Sequence, residues 1–541
     1  MSNLGYQVLY HLLNEKKTVV AERVFLPDTK ELTLRREGGR GLYSMESLSP
    51  LQRFDILAFS LPFENDFPNI LKILEMGKIP LLSEERNAFP SIVMAGGVTT
   101  FLNPEPLASF IDLFLLGEAE HLLDRFLEVY SDARNASAGR ENLLRALAEH
   151  VPSLYVPSLY HVEYNPDGTI QSMEPTEKGI PETIEVGSHR NGAAPVAVSR
   201  IITPETTFAG KVLVELSRGC GHSCRFCAAG YVYRPPRFHS EDKLLSCIEE
   251  VMEECPSLGL LSAAVSDTPG IERITEKILE NDGTFSVSSL RADSLTPGLL
   301  DHLKRTGQKT LAIAPEAGSE RLRRVINKHL NKEQIIEAVR MVARTGAFGL
   351  RLYFMIGLPT ESREDVEAIL DLVKSIRHHV IKESSTRGRI GQIRLSVNCF
   401  VPKASTPFQW FPMASVSALK EKQKWLKKAI SREGGVKVSY DVSKWAYVQA
   451  LLSMGDRRVG SILLKAHEFK GDWQKAFRFS DLNPDFFVHR PKALDEMLPW
   501  DFIDHGIHKE HLITEYKLAL KGRESETCRV GECTRCGVCK P

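Results

Sequence analysis

The chain has 541 residues, enough for several domains, and its 43% hydrophobic and 26% charged content is that of an ordinary globular protein, which excludes a disordered or fibrous one. Lys plus Arg and Asp plus Glu each number 69, so no overall basic field argues for nucleic acid, although a local patch is compatible with that balance. No apolar run reaches the ~18 residues of a membrane span, and Met1-Ser2-Asn3-Leu4-Gly5 does not open a signal peptide, so a cytoplasmic protein without a membrane partner is expected.

Residues 1–150 alternate helix and strand signals. Tyr6 to Leu13 is a helix by its apolar spacing, Asp55 to Leu61 a buried strand, and Asn69 to Met76 a helix. Ser91 to Ala95 is a second strand that runs into Gly96-Gly97. Pro104 to Phe110 is a short helix, Ile111 to Leu116 a third strand, and Gly117-Glu118-Ala119-Glu120 opens another helix. This alternation predicts a Rossmann-like parallel sheet. Ligands of such sheets lie beyond the carboxyl ends of strands, which makes Gly96 and Gly97 candidate cofactor-binding positions.

Residues 151–205 are a hairpin and connector. The tandem Val151-Pro-Ser-Leu-Tyr155 and Val156-Pro-Ser-Leu-Tyr160 leads into a hairpin turned at Asp167-Gly168. Pro175, Pro181, Pro195 and Pro204, with Gly187 and Gly192 among them, mark an inter-domain link. From 206 to 435 the alternation returns, with strands expected at Val212–Leu216, Leu260–Val265, Phe285–Ser288, Thr310–Ala314, Leu350–Ile356 and Ile393–Val397. Asn331 to Val342 is amphipathic, and Ser362-Arg-Glu-Asp365 is a capping box. Residues 436–541 are mostly helical, with a helix at Lys444–Leu452, and end in a Cys-rich tail. The charges around Gly455-Asp456-Arg457-Arg458 are expected either to face substrate or to be solvated.

Seven of the ten cysteines fall in two tight clusters, and only Cys247, Cys255 and Cys399 stand alone, as buried apolar residues. That usage fits metal binding in a reducing compartment rather than a disulfide framework. The first cluster, after the Val212 strand, is Cys220, Cys224 and Cys227 at C-x3-C-x2-C, with Phe226 before the last cysteine. Three thiolates on one loop can hold three irons of a 4Fe–4S cluster and leave the fourth open to a small molecule. A zinc loop is the competing reading, with His222 as the only nearby fourth ligand, and His222 lies inside the loop.

The cysteine run resembles that of the radical S-adenosylmethionine (SAM) superfamily. The resemblance implies a partial (βα)6 barrel, an open iron that binds SAM, and reductive cleavage of SAM to a 5′-deoxyadenosyl radical. It implies an electron donor such as flavodoxin or ferredoxin. It further implies that Phe226 lies against the adenine and that Ser266 and Asp267 meet the SAM amine. Ser289 and Arg291 would reach the carboxylate or ribose. Glu316, in Ala314-Pro-Glu-Ala-Gly-Ser319, matches the family's E-x-G-S segment, and Gly357, in Met355-Ile-Gly-Leu-Pro-Thr360, lets backbone approach the adenine. The N-terminal region resembles the cobalamin-binding-like domain that precedes many such barrels, through Ala95-Gly-Gly-Val-Thr-Thr-Phe-Leu-Asn-Pro-Glu-Pro-Leu107 and Gly117-Glu118-Ala119-Glu120. Cobalamin is thus a candidate cofactor, and a domain that binds none is the alternative, since no D-x-H-x-x-G is present. In the family a strand precedes the first helix, so an upstream strand is also expected.

The second cluster is Cys528, Cys533, Cys536 and Cys539, at C-x4-C-x2-C-x2-C. Four thiolates in twelve residues suit either a second Fe–S cluster or zinc, bound independently of the barrel. The whole chain resembles an uncharacterised radical SAM family with this tail. The leading expectation is a radical SAM enzyme acting on an unknown substrate, by methyl transfer or by modification of RNA or another macromolecule. A methylthiotransferase-like enzyme is the second expectation. The third is a metal-bearing RNA- or ribosome-associated binding protein without turnover.

Overall fold

Strand runs separated by amphipathic helices fold into an open parallel barrel, seen in a computed structural model that describes residues 2–136, 139–188, 194–385 and 391–539. Its first three strands are Val212–Glu215, Ser257–Leu261 and Thr284–Val287, with Ser257–Leu261 in the middle. Leu258 stands opposite Val212 on one side and Phe285 on the other. A parallel bridge from Leu290 to Ile313 joins this sheet to the next one. There Thr310–Glu316, Gly349–Ile356, Ile393–Cys399 and Val436–Tyr440 pair in that order, all parallel. The six expected strands are present. Val436–Tyr440 adds a seventh, beyond the segment the sequence assigns to the barrel.

The second strand ends earlier than expected. Ser262 Oγ accepts from the Ala264 amide at 3.0 Å, and Val265–Asp267 forms a 3-10 turn instead of continuing the strand. The helices follow their local signals. Asn331 and Gln334 cap Lys332–Thr345 reciprocally, at 2.8 and 2.9 Å. Asp365 accepts from the Ser362 amide at 2.8 Å at the start of Arg363–Ser384.

In the N-terminal domain, Ile56–Ser60, Ile92–Gly96 and Leu113–Leu115 pair in parallel. The sheet is not wholly parallel, because Leu154–Tyr155 adds an antiparallel strand. Pro104 to Phe110 gives a single 3-10 turn at Glu105–Leu107 rather than a helix, since Pro104 and Pro106 remove two amide donors. The hairpin pairs Tyr160–Tyr164 with Ile170–Pro175, turning at Gly168 with φ +87°. The connector is stitched to the rest of the molecule, Ile184–Glu185 pairing with Ile503–Asp504. Its Gly192 lies outside the described residues. Among the described residues no helix is long and apolar enough to cross a membrane.

The domains are fastened by buried charge. Arg457 donates to Glu105 at 2.8 Å and to the Tyr155 hydroxyl at 3.0 Å, and Glu105 is 2% exposed. Arg458 pairs with Asp456 at 2.6 Å and lies 3.8 Å over the Tyr164 ring. The Gly455–Arg458 segment therefore neither faces solvent nor lies free for substrate. It locks the helical C-terminal region to the N-terminal domain, where Asn103 also donates to the carbonyls of Ser453 and Gly455 at 3.1 and 2.7 Å.

Candidate active site and second cysteine centre

The first barrel strand delivers the chain to Ser217–Arg218, which pairs antiparallel with Arg237–Phe238 and closes a loop over 219–236. Gly219 has φ +87°, and a Cβ there would stand 2.5 Å from the Tyr233 carbonyl, so glycine is required. Arg218 fixes the base of the loop to the first barrel strand through Glu215 at 2.7 Å and to the N-terminal domain through Glu120 at 3.0 Å and Glu118 at 3.1 Å. Arg225, 0% exposed, pins the middle. It donates to Glu515 at 3.0 Å and to the carbonyls of Val325 and Arg523 at 2.8 and 2.9 Å.

This loop carries Cys220, Cys224 and Cys227. Burial pushes the Cys227 thiol up to about 12, reinforced by Cys224 and Cys220 beside it. Burial likewise raises Cys220. Cys220 and Cys227 therefore resist ionisation on their own, and a bound cationic centre would reverse that. Among the described residues no group of three or more His, Cys, Asp and Glu side chains is arranged to hold a single metal ion. A cluster spreads its thiolates over separate irons and does not need them to converge on one point.

Polar groups from successive strand ends gather around the loop. His222 pairs with Asp267, from the turn after the second strand. Arg291, after the third, donates to Asp293 at 2.8 and 3.0 Å and lies within electrostatic reach of Cys224 and Asp267. Glu316, closing the fourth strand at φ +65°, pairs at 3.2 Å with Lys328, and Lys328 in turn lies within electrostatic reach of Cys224. Phe226 packs against the cluster that contains Leu322, Leu358, Phe400 and Phe408, together with Met355 of the fifth strand.

The remaining predicted positions have local accounts. Ser266 shares a hydrogen bond with Ser294 at 2.6 Å, and Ser289 is half-buried. Gly357, at φ +80°, donates its amide to Glu361 at 3.0 Å, and a Cβ there would lie 2.8 Å from Leu419. Gly97 has φ +109°, with room for a Cβ denied by the Leu61 backbone at 2.8 Å; Gly96 precedes it at the end of its strand. Packing inside the N-terminal domain is thus sufficient to explain Gly97. Lys328 was not singled out by sequence reasoning. Its only local signal is the polar run Asn327-Lys328-His329 before the Asn331 cap.

The tail does not stand apart from the barrel, as its distance in sequence suggests. The Cys528 amide donates to the Gly221 carbonyl at 2.8 Å, inside the first cysteine loop. Ser525 and Asn327 exchange hydrogen bonds at 2.9 and 3.1 Å, and the His329 amide donates to Glu524 at 3.2 Å. Cys528 is raised by burial and by the neighbouring Cys536, Cys539 and Cys533. Arg535 at Cys533 lowers that thiol. Cys528 thus lies within electrostatic reach of the other three tail cysteines, with its backbone bonded to the core loop.

Residues 5–157 match the family model of the N-terminal region of radical SAM proteins, and residues 214–373 match that of the radical SAM superfamily. The chain belongs to the radical SAM superfamily. It is accordingly an enzyme that uses a 4Fe–4S cluster and SAM. It is 29% identical over 436 residues to an uncharacterized protein of Methanocaldococcus jannaschii, covering 80% of this chain and 85% of the relative. It is 24% identical over 217 residues to the ribosomal protein uS12 methylthiotransferase RimO of a Thermoanaerobacter species, covering 38% of this chain and 49% of that one. Among solved structures it is similar to the radical SAM methyltransferase TsrM of Kitasatospora setae, described with cobalamin and a 4Fe–4S cluster bound. That match has TM-score 0.46 and 11% identity, over 73% of this chain and 69% of that chain. It is also similar to the cobalamin-dependent radical SAM enzyme OxsB, with TM-score 0.46 and 14% identity, over 96% of this chain and 76% of that one.

Proposed function

We propose that Cys220, Cys224 and Cys227 hold the SAM-cleaving cluster and that the polar groups around them hold SAM. The observation that carries this reading is the convergence of His222–Asp267, Arg291 and Glu316–Lys328, from successive strand ends, on one three-cysteine loop. When bound, the cluster supplies one electron that cleaves SAM to methionine and a 5′-deoxyadenosyl radical, and an external flavodoxin- or ferredoxin-type donor restores that electron. Arg291 and Lys328 offer positive charge to the SAM carboxylate, and Asp267 offers negative charge to its amine. Phe226 and Met355 give the adenine an apolar wall, and the buried loop keeps water from the radical. Anaerobic incubation of the reconstituted protein with SAM and dithionite tests the reading: 5′-deoxyadenosine should form, and its absence from fully iron-loaded protein would refute it.

A phosphate-bearing macromolecule is the substrate class that the inner face of the barrel favours. Met355 packs beside Phe226, so Tyr353 and Arg351, two and four residues earlier in alternation, share that inner face. Arg351, Arg394 and Lys437 stand at one register position on three adjacent strands. All three are exposed, and none pairs with a described carboxylate. Three unneutralised cations in a row suit a phosphodiester backbone, which supports modification of RNA over a small neutral substrate. Methyl or methylthio transfer is the reaction class, in keeping with the methylthiotransferase relative.

For the tail, the C-x4-C-x2-C opening of the four-cysteine run supports a second Fe–S cluster over zinc. Cobalamin is the weaker cofactor proposal. The buried helix Val98–Leu102 occupies the space directly after the Ile92–Gly96 strand. The visible absorption spectrum of protein loaded with hydroxocobalamin and then desalted decides that question.

A further inference from the structure

Between the two cysteine sets lies Arg234, 7% exposed. It donates to the Ser223 hydroxyl and the Gly230 carbonyl, both at 2.6 Å, and so holds the core loop from inside. On its other side it reaches His511 at 3.3 Å, on the C-terminal helix Lys509–Leu520, where the His508 amide just before the helix donates to the Cys536 carbonyl at 2.9 Å, and it lies within electrostatic reach of Cys536 and Cys528. It stacks 4.7 Å over Tyr231, whose hydroxyl donates to the Ser223 carbonyl at 3.1 Å. No described Asp or Glu forms an ion pair with it.

A buried guanidinium without a carboxylate is costly unless another anion faces it. The groups available are the tail thiolates, which become permanently anionic when they bind metal. Arg234 thus has its counter-charge on the tail and its hydrogen-bond acceptors on the core loop.

We propose that Arg234 is a positioning residue that couples the tail metal centre to the core cysteine loop. A metallated tail holds the guanidinium in place. The guanidinium holds Ser223 and Gly230, and with the Cys528–Gly221 bond it orders the loop that carries Cys220, Cys224 and Cys227. Its charge also makes the core cluster easier to reduce, because the reduced cluster carries one more negative charge. This rests on the reading of both cysteine sets given above.

The test uses full-length protein reconstituted anaerobically, with three readouts: metal per chain at each centre, hydrogen exchange of peptides spanning 217–230, and an EPR-monitored redox titration of the core cluster. Cys533→Ser removes a half-buried tail ligand that makes no hydrogen bond to Arg234. It should lose the tail metal, keep the core cluster, and speed exchange in the core loop about tenfold. Arg234→Gln should keep both centres and shift the ratio of reduced to oxidised core cluster about tenfold toward oxidised, ~59 mV for one electron. Arg234→Lys retains the charge and should recover most of that shift, which separates the electrostatic effect from misfolding of the Gln variant. Metal in the wild-type tail, with exchange and potential unmoved in Cys533→Ser and Arg234→Gln, overturns the coupling. A wild-type tail without metal overturns the reading of the tail itself, and the metal count alone reveals it.

Discussion

The amide of Cys528 donates to the carbonyl of Gly221, 2.8 Å away across more than three hundred residues of sequence. One belongs to the four-cysteine tail and the other to the three-cysteine loop, so the two thiolate sets share a backbone hydrogen bond. With Arg225–Glu515 and Asn327–Ser525 beside it, the C-terminal helix and tail form part of the wall of the three-cysteine loop. Removal of the tail is therefore expected to disturb the core as well as to delete a metal site.

Cys224 is the most enclosed of the three core thiols, at 8% exposed. Cys224→Ala should lose the core cluster and all 5′-deoxyadenosine formation while the tail retains its metal. Iron and sulfide analysis, with chromatography of the SAM products, checks this; undiminished SAM cleavage would exclude the assignment.

Glu105→Gln should destabilise the protein by about 3–5 kcal/mol, because Arg457 would be left as a buried cation without a carboxylate. Denaturant unfolding at neutral pH measures the loss. The double variant Glu105→Gln/Arg457→Met should cost less than the sum of the single changes, since the two side chains form one interaction. Additive losses would mean that the pair does not clamp the domains.

Burial lowers His505 to about 4 from its ordinary 6.5, and its Nε2 lies 2.9 Å from the Phe101 carbonyl. The unfolded chain therefore takes up this proton first as pH falls. The stabilisation is complete above about 6.5 and is lost progressively toward 4. Between pH 7 and 5 this one group should remove about 2 kcal/mol of stability. His505→Gln keeps a donor for Phe101 and should flatten the profile by that share. His239 and His511, also lowered to about 4, should still contribute to the acid sensitivity that remains. Unfolding curves for both proteins at the two pH values provide the comparison, and parallel pH profiles would rule out the assignment to His505.

Arg394→Gln, in the basic row of the inner face, should weaken binding of single-stranded RNA. It should also reduce the magnitude of the slope of log affinity against log salt by about 0.7 for one lost phosphate contact. Fluorescence anisotropy across a salt series measures both. An unchanged slope would remove the support for a phosphate-bearing substrate.

The sequence alone determined the barrel and the cysteine loop, because both are local. Alternation of apolar strands with capped amphipathic helices places six of the seven barrel strands to within a few residues. A three-thiol spacing on one loop is a complete chemical statement within eight positions. The seventh strand, Val436–Tyr440, and the shortened second strand were missed because pairing with neighbours and the Ser262 turn decide them. Only the tertiary structure decided that the tail lies on the core loop, that Lys328 joins the site, and that Asp456, Arg457 and Arg458 are internal clamps. Charged side chains carry no periodic signal of burial. Whether an arginine is solvated, binds substrate or closes a domain interface depends on which distant carboxylate or thiolate the fold brings to it, as Glu105 is brought to Arg457 and Cys536 to Arg234.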